Sequence, residues 1–301
     1  MNQASGMNLT AIESIGATAV IRDGVFRTLG FLSDPQPGML VFLESRDYLE
    51  ALVRTPDVSC VVTTEALAED LPCGPGLAIS AEPRRTFMRI HNQLATGTEF
   101  YGSGFPTQVD PTARVHARAF VADRNVRIGA HTVIGPNATV MERCTIGASV
   151  TVWPGVVLGS AGFQTARCGG DTVDMVHAGG LRIQDRVEIL PNAVIATAVF
   201  RQATTVGDDV RIGNLAFLSH NVQVGARSFI GHGATVNGNV RIGADAWVGP
   251  GAVLSNNITL GDGATVSLGA TANRNVHAGQ RVTGMLAVDH ATMLRHLASL
   301  T

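Results

Sequence analysis

Lysine is absent from this 301-residue chain: the 22 basic residues are all arginine. No side-chain amine is at hand to act as a nucleophile, and any phosphate contact falls to arginine forks or backbone N–H groups. Aromatic residues make up only 5% of the sequence, too few for a globular core built around large rings. The formal charge of −2 offers no basic excess, so no nucleic-acid partner is expected. Cys60, Cys73, Cys144 and Cys168 form no C-x-x-C pair and no compact framework, which predicts free thiols in a reducing compartment. No window approaches 18 uninterrupted apolar residues, so no transmembrane segment is expected. The N-terminus also lacks the basic and apolar regions of a signal peptide. The expected location is the cytoplasm.

What is abundant is a rhythm. Aliphatic residues return every sixth position from Val206 through Ile212, Leu218, Val224, Ile230, Val236, Ile242, Val248, Leu254 and Leu260 to Val266. Six matches neither the 3.6-residue period of a helix nor the 2-residue period of a strand. It is the hexapeptide repeat of a parallel β-helix, in which three hexads close one coil and residues eighteen apart stack. The same rhythm runs earlier through Val109, Val115, Val121, Ile128, Ile134, Val140, Ile146, Val152 and Leu158, with one seven-residue step before Ile128. A small residue tends to follow four positions on, as at Ala113, Ala119, Thr132, Ala138 and Cys144, where a narrow corner has room for little else. Between Leu158 and Ile183 the rhythm breaks over a glycine-rich insertion, residues 159–180. A second irregular stretch, Ala196–Thr205, precedes the clean run.

The remainder has another texture. Residues 8–94 read as a small α/β domain, with strands at Ala19–Ile21, Met39–Leu43, Ser59–Val62 and Leu77–Ile79 and a helix that opens at Pro83. Residues 95–108 read as a linker, 109–278 as the β-helix, and 279–301 as a tail whose Asp289–Leu300 segment is helical and expected to cap the open edge.

Stacking the clean run in eighteens isolates one column. Glycine usually follows the aliphatic residue, but at Ser219, Asn237 and Ser255 it does not. The column reads Ser219-His220-Asn221, Asn237-Gly238-Asn239 and Ser255-Asn256-Asn257. His220 can take a proton near neutral pH, and Gly238, one coil away, can present an unobstructed N–H: a base and an oxyanion donor, the two elements of acyl transfer. The competing reading of His220 is a solvated corner residue. His177 in the insertion is a candidate substrate contact or a plain loop histidine; His116, His131 and His232 read as surface residues. No histidine pair has the spacing of a shared metal site, so no metal is expected.

Two differently built regions resemble one family in order. The stretch Pro37-Gly38-Met39-Leu40-Val41-Phe42-Leu43-Glu44-Ser45-Arg46-Asp47-Tyr48, then Ala66–Pro72, Gly159-Ser160-Ala161-Gly162-Phe163, Asp185–Ile189 and Leu218-Ser219-His220-Asn221-Val222 is similar to the UDP-3-O-acylglucosamine N-acyltransferases of lipid A synthesis. The resemblance implies a left-handed coil; periodicity alone says nothing of hand, and ordinary crossovers are right-handed. It also implies a homotrimer, with His220 as base and the Gly238 N–H as oxyanion donor. The substrate is then a UDP-linked amino sugar whose base lies near Phe42 and Tyr48, with Ser45 at a position where the family has asparagine. The co-substrate is the thioester of an acyl carrier protein, or of CoA, with no other cofactor. Asn221, Phe163, His177, Asn239 and Asn257 complete the candidate substrate contacts, Asn221 as an orienter of His220. Departures from the family pattern occur at Ala161 (aspartate there), Ala196 (start of a D-R-G) and Asn257 (histidine). They leave room for a small-acyl transferase using acetyl-CoA on another nucleotide sugar, or for a non-catalytic binding relative.

Overall fold

The computed structural model describes residues 6–16, 19–284 and 289–299. The hexads wind into a left-handed parallel β-helix with three flat faces. Each hexad contributes a strand of mostly two residues. Strands eighteen residues apart pair in parallel, for example Leu218 with Val236, Val236 with Leu254 and Leu254 with Ala272. The first face has eight strands, from Gln108–Val109 to Thr259–Leu260. The second has nine, from Arg114–Val115 to Arg281–Val282, and the third eight, from Phe120–Val121 to Thr271–Ala272.

The periodic aliphatics of the clean run all point inward and are buried, as are the small residues four positions on, such as Thr132, Ala138, Cys144, Ala216 and Ala234. Earlier in the chain, Val109, Val115 and Val121 belong to the first coil, which has a neighbour on one side only, and stand partly exposed. Chain direction turns at a residue three positions after each aliphatic, and that residue has positive φ: Asp209, Leu215, Asn221, Arg227, Asn239, Asp245 and Asn257 lie between 56° and 61°. Asparagine and aspartate tolerate this left-handed region better than most side chains do.

The N-terminal sheet has five strands in the order Ala19–Arg22, Gly76–Ile79, Val58–Thr63, Met39–Leu43, Thr28–Leu29, antiparallel only between the first two. Helix Pro83–Gly97 begins with proline at its first turn and buries Phe87, Ile90, His91 and Leu94, spaced three and four residues apart. Its core is shared: Cys168 and Met175 of the insertion, and Val199 and Phe200 of the second irregular stretch, join Phe26, Leu40 and Phe87 in one apolar cluster. A C-terminal helix, His290–Ala298, follows, as expected; of its described side chains, Leu294 is exposed.

Every slip in the six-residue rhythm falls on one edge. The strands flanking each slip belong to the third and first faces: Phe120–Val121 before Val126–Ile128, Val157–Ser160 before Gly180–Ile183, and Val194–Ala196 before Ala203–Val206. His220 lies on this edge too, between Phe217–Leu218 and Gln223–Val224. The insertion is a β-hairpin, Thr165–Cys168 against Asp171–Asp174, and it is fastened to the helix of the small domain. Arg85 donates to the Cys168 carbonyl and pairs with Asp171, Asn92 donates to Asp174 O and accepts from Val176 N, and His91 Nε2 lies 2.7 Å from Val176 O.

Candidate active site

His220 is 8% exposed, and its ring lies against the backbone of Gly238 one coil away. A β-carbon built on Gly238 would sit 2.5 Å from His220 Cε1 and 2.6 Å from Nε2. That sets this glycine apart from its neighbours in the run. At Gly213, Gly225, Gly231 and Gly249 a β-carbon would strike the backbone of the next coil, so there glycine serves stacking. At Gly238 it serves the ring. Among the described residues the Gly238 N–H has no acceptor, while its carbonyl takes the N–H of Asn257 and the His220 carbonyl takes that of Asn239.

His177 arrives on the insertion. Its ring centroid is 5.8 Å from that of His220 at an interplanar angle of 66°. Gly162 N–H donates to His177 Nε2 at 3.0 Å. A backbone N–H can only donate, so Nε2 carries the lone pair and the ring proton resides on Nδ1. Burial, then the neighbouring His220, pushes the pKa of His177 down to about 4, which keeps this tautomer neutral. Burial also lowers the pKa of His220, against the opposing pull of Asn221 and the Asp34 carboxylate. Nδ1 of His177, Nδ1 of His220 and Oγ of Ser160 are all buried without a partner in hydrogen-bond geometry. Three unpaired polar atoms on one edge are costly unless a ligand completes them.

Asn221, beside His220, also fastens the small domain to the β-helix. Its Oδ1 accepts from Val199 N–H and its Nδ2 donates to Asp34 Oδ2 and Gln202 Oε1. Asp34 was not legible as a site residue. It is buried on the small domain, accepts from Gln202 and Asn221, and pairs with Arg241 at 3.0 Å. This cluster ties the loop after Phe31 to the first face beside His220. The seam between Phe31, Asp34, Val199, Phe200, His220, Asn221 and Asn239 is closed, with no room for a water. Asp34→Ala should lower stability by about 1–3 kcal/mol in urea unfolding, since it removes three charge-assisted bonds but leaves a half-exposed Arg241 that water can solvate. Asp34→Asn should cost less.

Asn239 and Asn257 pair with each other through a 2.9 Å amide bond, and both are left-handed corners. Asn257 is exposed. Their place in the polar column thus has a backbone cause. Phe163 is 90% exposed. In the small domain a cavity of about 310 Å³ is lined by Phe31, Val41, Phe42, Glu44, Tyr48 and Arg84 among others, with the Arg84 guanidinium 5.5 Å from the Phe42 ring centre. Ser45 is not part of it: its hydroxyl accepts from Asp47 N–H and caps the turn Arg46–Tyr48.

His91 holds the insertion from beneath. Fully buried, it meets Tyr101 Oη at 2.6 Å through Nδ1 and Val176 O through Nε2. Burial pushes its pKa down to about 4, below the ordinary 6.5. Between those values the unfolded chain takes up a proton that the folded chain refuses, so the stabilisation is complete above pH 6.5 and is lost as pH falls toward 4. The loss is on the order of 3 kcal/mol for this residue. Urea midpoints at pH 7 and pH 5 should differ in the native chain and differ less in His91→Gln.

Residues 125–160 and 203–238 match the bacterial transferase hexapeptide (six repeats), and residues 221–256 match the hexapeptide repeat of succinyl-transferase. A UDP-3-O-acylglucosamine N-acyltransferase of Paracidovorax citrulli is 31% identical over 68% of this chain and 64% of its own length, so the chain spans less than two thirds of that relative. UDP-3-O-acylglucosamine N-acyltransferase 2 of Nitrobacter winogradskyi is 27% identical over 71% of each. The solved UDP-N-acetylglucosamine acyltransferase of Francisella novicida aligns over 63% of this chain and 73% of its own at 18% identity and a TM-score of 0.40, an overlap too loose to bear on the site.

Proposed function

This chain is a homologue of the UDP-3-O-acylglucosamine N-acyltransferases, built on the bacterial transferase hexapeptide repeat, and from that premise we propose that it transfers an acyl group to the amine of a UDP-linked amino sugar. The observation that carries the reading is the buried His220 ring lying on the Gly238 backbone. In the proposed step the sugar amine attacks the carbonyl carbon of a thioester. His220 accepts the amine proton, the Gly238 N–H holds the oxyanion, and collapse breaks the C–S bond while the proton passes to the departing thiolate. A preorganised donor of this kind is typically worth about 3 kcal/mol. His177, a neutral Nδ1–H donor by its bond from Gly162, supplies a second hydrogen bond to a substrate oxygen. No metal or other cofactor enters the step.

The cavity at Phe42, Tyr48 and Arg84 takes the uracil, one ring face against Phe42 or Tyr48. The donor is acyl carrier protein, the assembly a homotrimer and the compartment the cytoplasm. A second donor has an observation in its favour. Ala161 and Ala196 stand where the family carries charge, and Ala196 Cβ lies 3.7 Å from the position a Gly162 side chain would take, beside both histidines. That apolar wall suits an altered donor or sugar, with acetyl-CoA the alternative. The test presents one UDP-amino sugar with an acyl carrier protein thioester and with acetyl-CoA in parallel. Transfer from the carrier protein supports the main reading, transfer from acetyl-CoA the second. UDP-sugar binding with no transfer from either would make the protein a non-catalytic relative.

A further inference from the structure

Away from His220, a cavity of about 220 Å³ lies between the linker and the first face of the β-helix. Tyr101, Gly102, Ser103 and Phe105 close it on one side and Ala178–Gly180, the return of the insertion, on another. Three arginines line it, Arg127, Arg143 and Arg201, and no aspartate or glutamate does. None of the three pairs with a carboxylate among the described residues. The Asn125 amide in the cavity lining donates to Glu142 at 2.8 Å.

Each guanidinium is nevertheless fixed in place. Arg127 lies 4.0 Å over the Phe105 ring centre and donates through Nε to Gln108. Arg143 donates to Ala178 O at 2.6 Å. Arg201 lies over Phe100 and Tyr101 and donates to the carbonyls of Arg27 and Phe100. These contacts use a minority of the five N–H donors that each guanidinium carries. Holding three like charges around one cavity in a chain of net charge −2 is unfavourable until an anion enters. Burial lowers the pKa of Arg201, the mark of a cation without its counter-charge.

We propose that this cavity is a binding site for a phosphate group. The match is chemical: a tetrahedral dianion accepts several guanidinium forks at once, and in a chain without lysine arginine is the residue left to supply them. The phosphate belongs either to a nucleoside diphosphate or to the phosphorylated pantetheine portion of a thioester carrier. Either source binds here whether or not His220 performs acyl transfer, so the two readings fail separately.

The test is calorimetric titration of the whole chain with inorganic phosphate, UDP and CoA at constant ionic strength set with KCl. Native protein, Arg127→Ala, Arg143→Gln and His220→Ala are compared. Arg127 is exposed and rests on Phe105, so its loss should leave the fold intact, as thermal unfolding without ligand will report. Inorganic phosphate should bind, and each arginine variant should weaken it at least about tenfold, whereas His220→Ala should not. The organic probe whose affinity falls with Arg127→Ala identifies the source of the phosphate. Absence of binding by all three probes overturns the proposal. So does binding that neither arginine variant weakens, which for UDP would place it in the Phe42 cavity instead.

Discussion

Replacing His220 by alanine is expected to cut acyl transfer by at least about a hundredfold while leaving the fold in place. The side chain sits on an edge, outside the aliphatic interior that holds the coils together, and its nearest structural debts are small. Its Nδ1 makes no bond, and the backbone bond from Asn239 to the His220 carbonyl does not depend on the side chain. Stability and activity should therefore separate cleanly. The pH profile adds a second reading. A general base works unprotonated, and burial holds the His220 pKa below its usual 6.5. Turnover should be level at neutral pH and fall only under more acidic conditions, and the residual activity of His220→Ala should lack that inflection. Turnover within a few-fold of the native protein would remove His220 from the mechanism.

The second large effect is expected at Gly238→Ala. Gly238 is absent from the residues with positive φ, so alanine fits its backbone, and the denaturation midpoint should move little. The added methyl instead falls 2.5 Å from His220 Cε1, inside contact distance, and the ring must swing away. A displacement of about 1 Å in a reacting group can cost a hundredfold, so Gly238→Ala should approach the loss seen for His220→Ala. The two together should lose little more than either alone, because they damage the same geometry. Full activity in Gly238→Ala would separate this glycine from the reaction. By contrast, Gly213→Ala puts its methyl 2.4 Å from the backbone nitrogen of His232, and its effect should appear in stability.

Much of the scaffold could be read from spacing, because a repeat makes each position predict the one eighteen residues on. The buried column of Leu218, Val236 and Leu254, and the placement of His220 over Gly238, both came from that count. The polar column carries a second signal. Asn221, Asn239 and Asn257 stand at corners with left-handed backbone, and a backbone preference looks in sequence much like a binding motif. Asp34, Gln202 and Arg241 were invisible because they meet across 168 and 207 residues of chain, with no periodicity to connect them. One signal had been available for the insertion. Counting strands through Leu158 and Ile183 places the break on the His220 edge, whereas the contact of His177 with that ring depends on the path of the insertion. At Ser45 and Phe163 the structure adds local facts the sequence did not carry: the Ser45 hydroxyl caps a turn, and the Phe163 ring is exposed.

The gathering of every irregularity on a single edge has a consequence for how such a protein can change. An inserted segment at that edge lengthens a loop, and loop closure grows only slowly with length, about 0.6 kcal/mol per doubling. The other two edges turn within one hexad, and at many of their corners a glycine meets the backbone of the next coil, so an added residue there would shift the register of every strand beyond it. Insertion and substitution can thus rewrite the border that carries His220 while the column of valines, leucines and isoleucines stays untouched. Room for change and constancy of fold are assigned to different sides of the same three-sided rod.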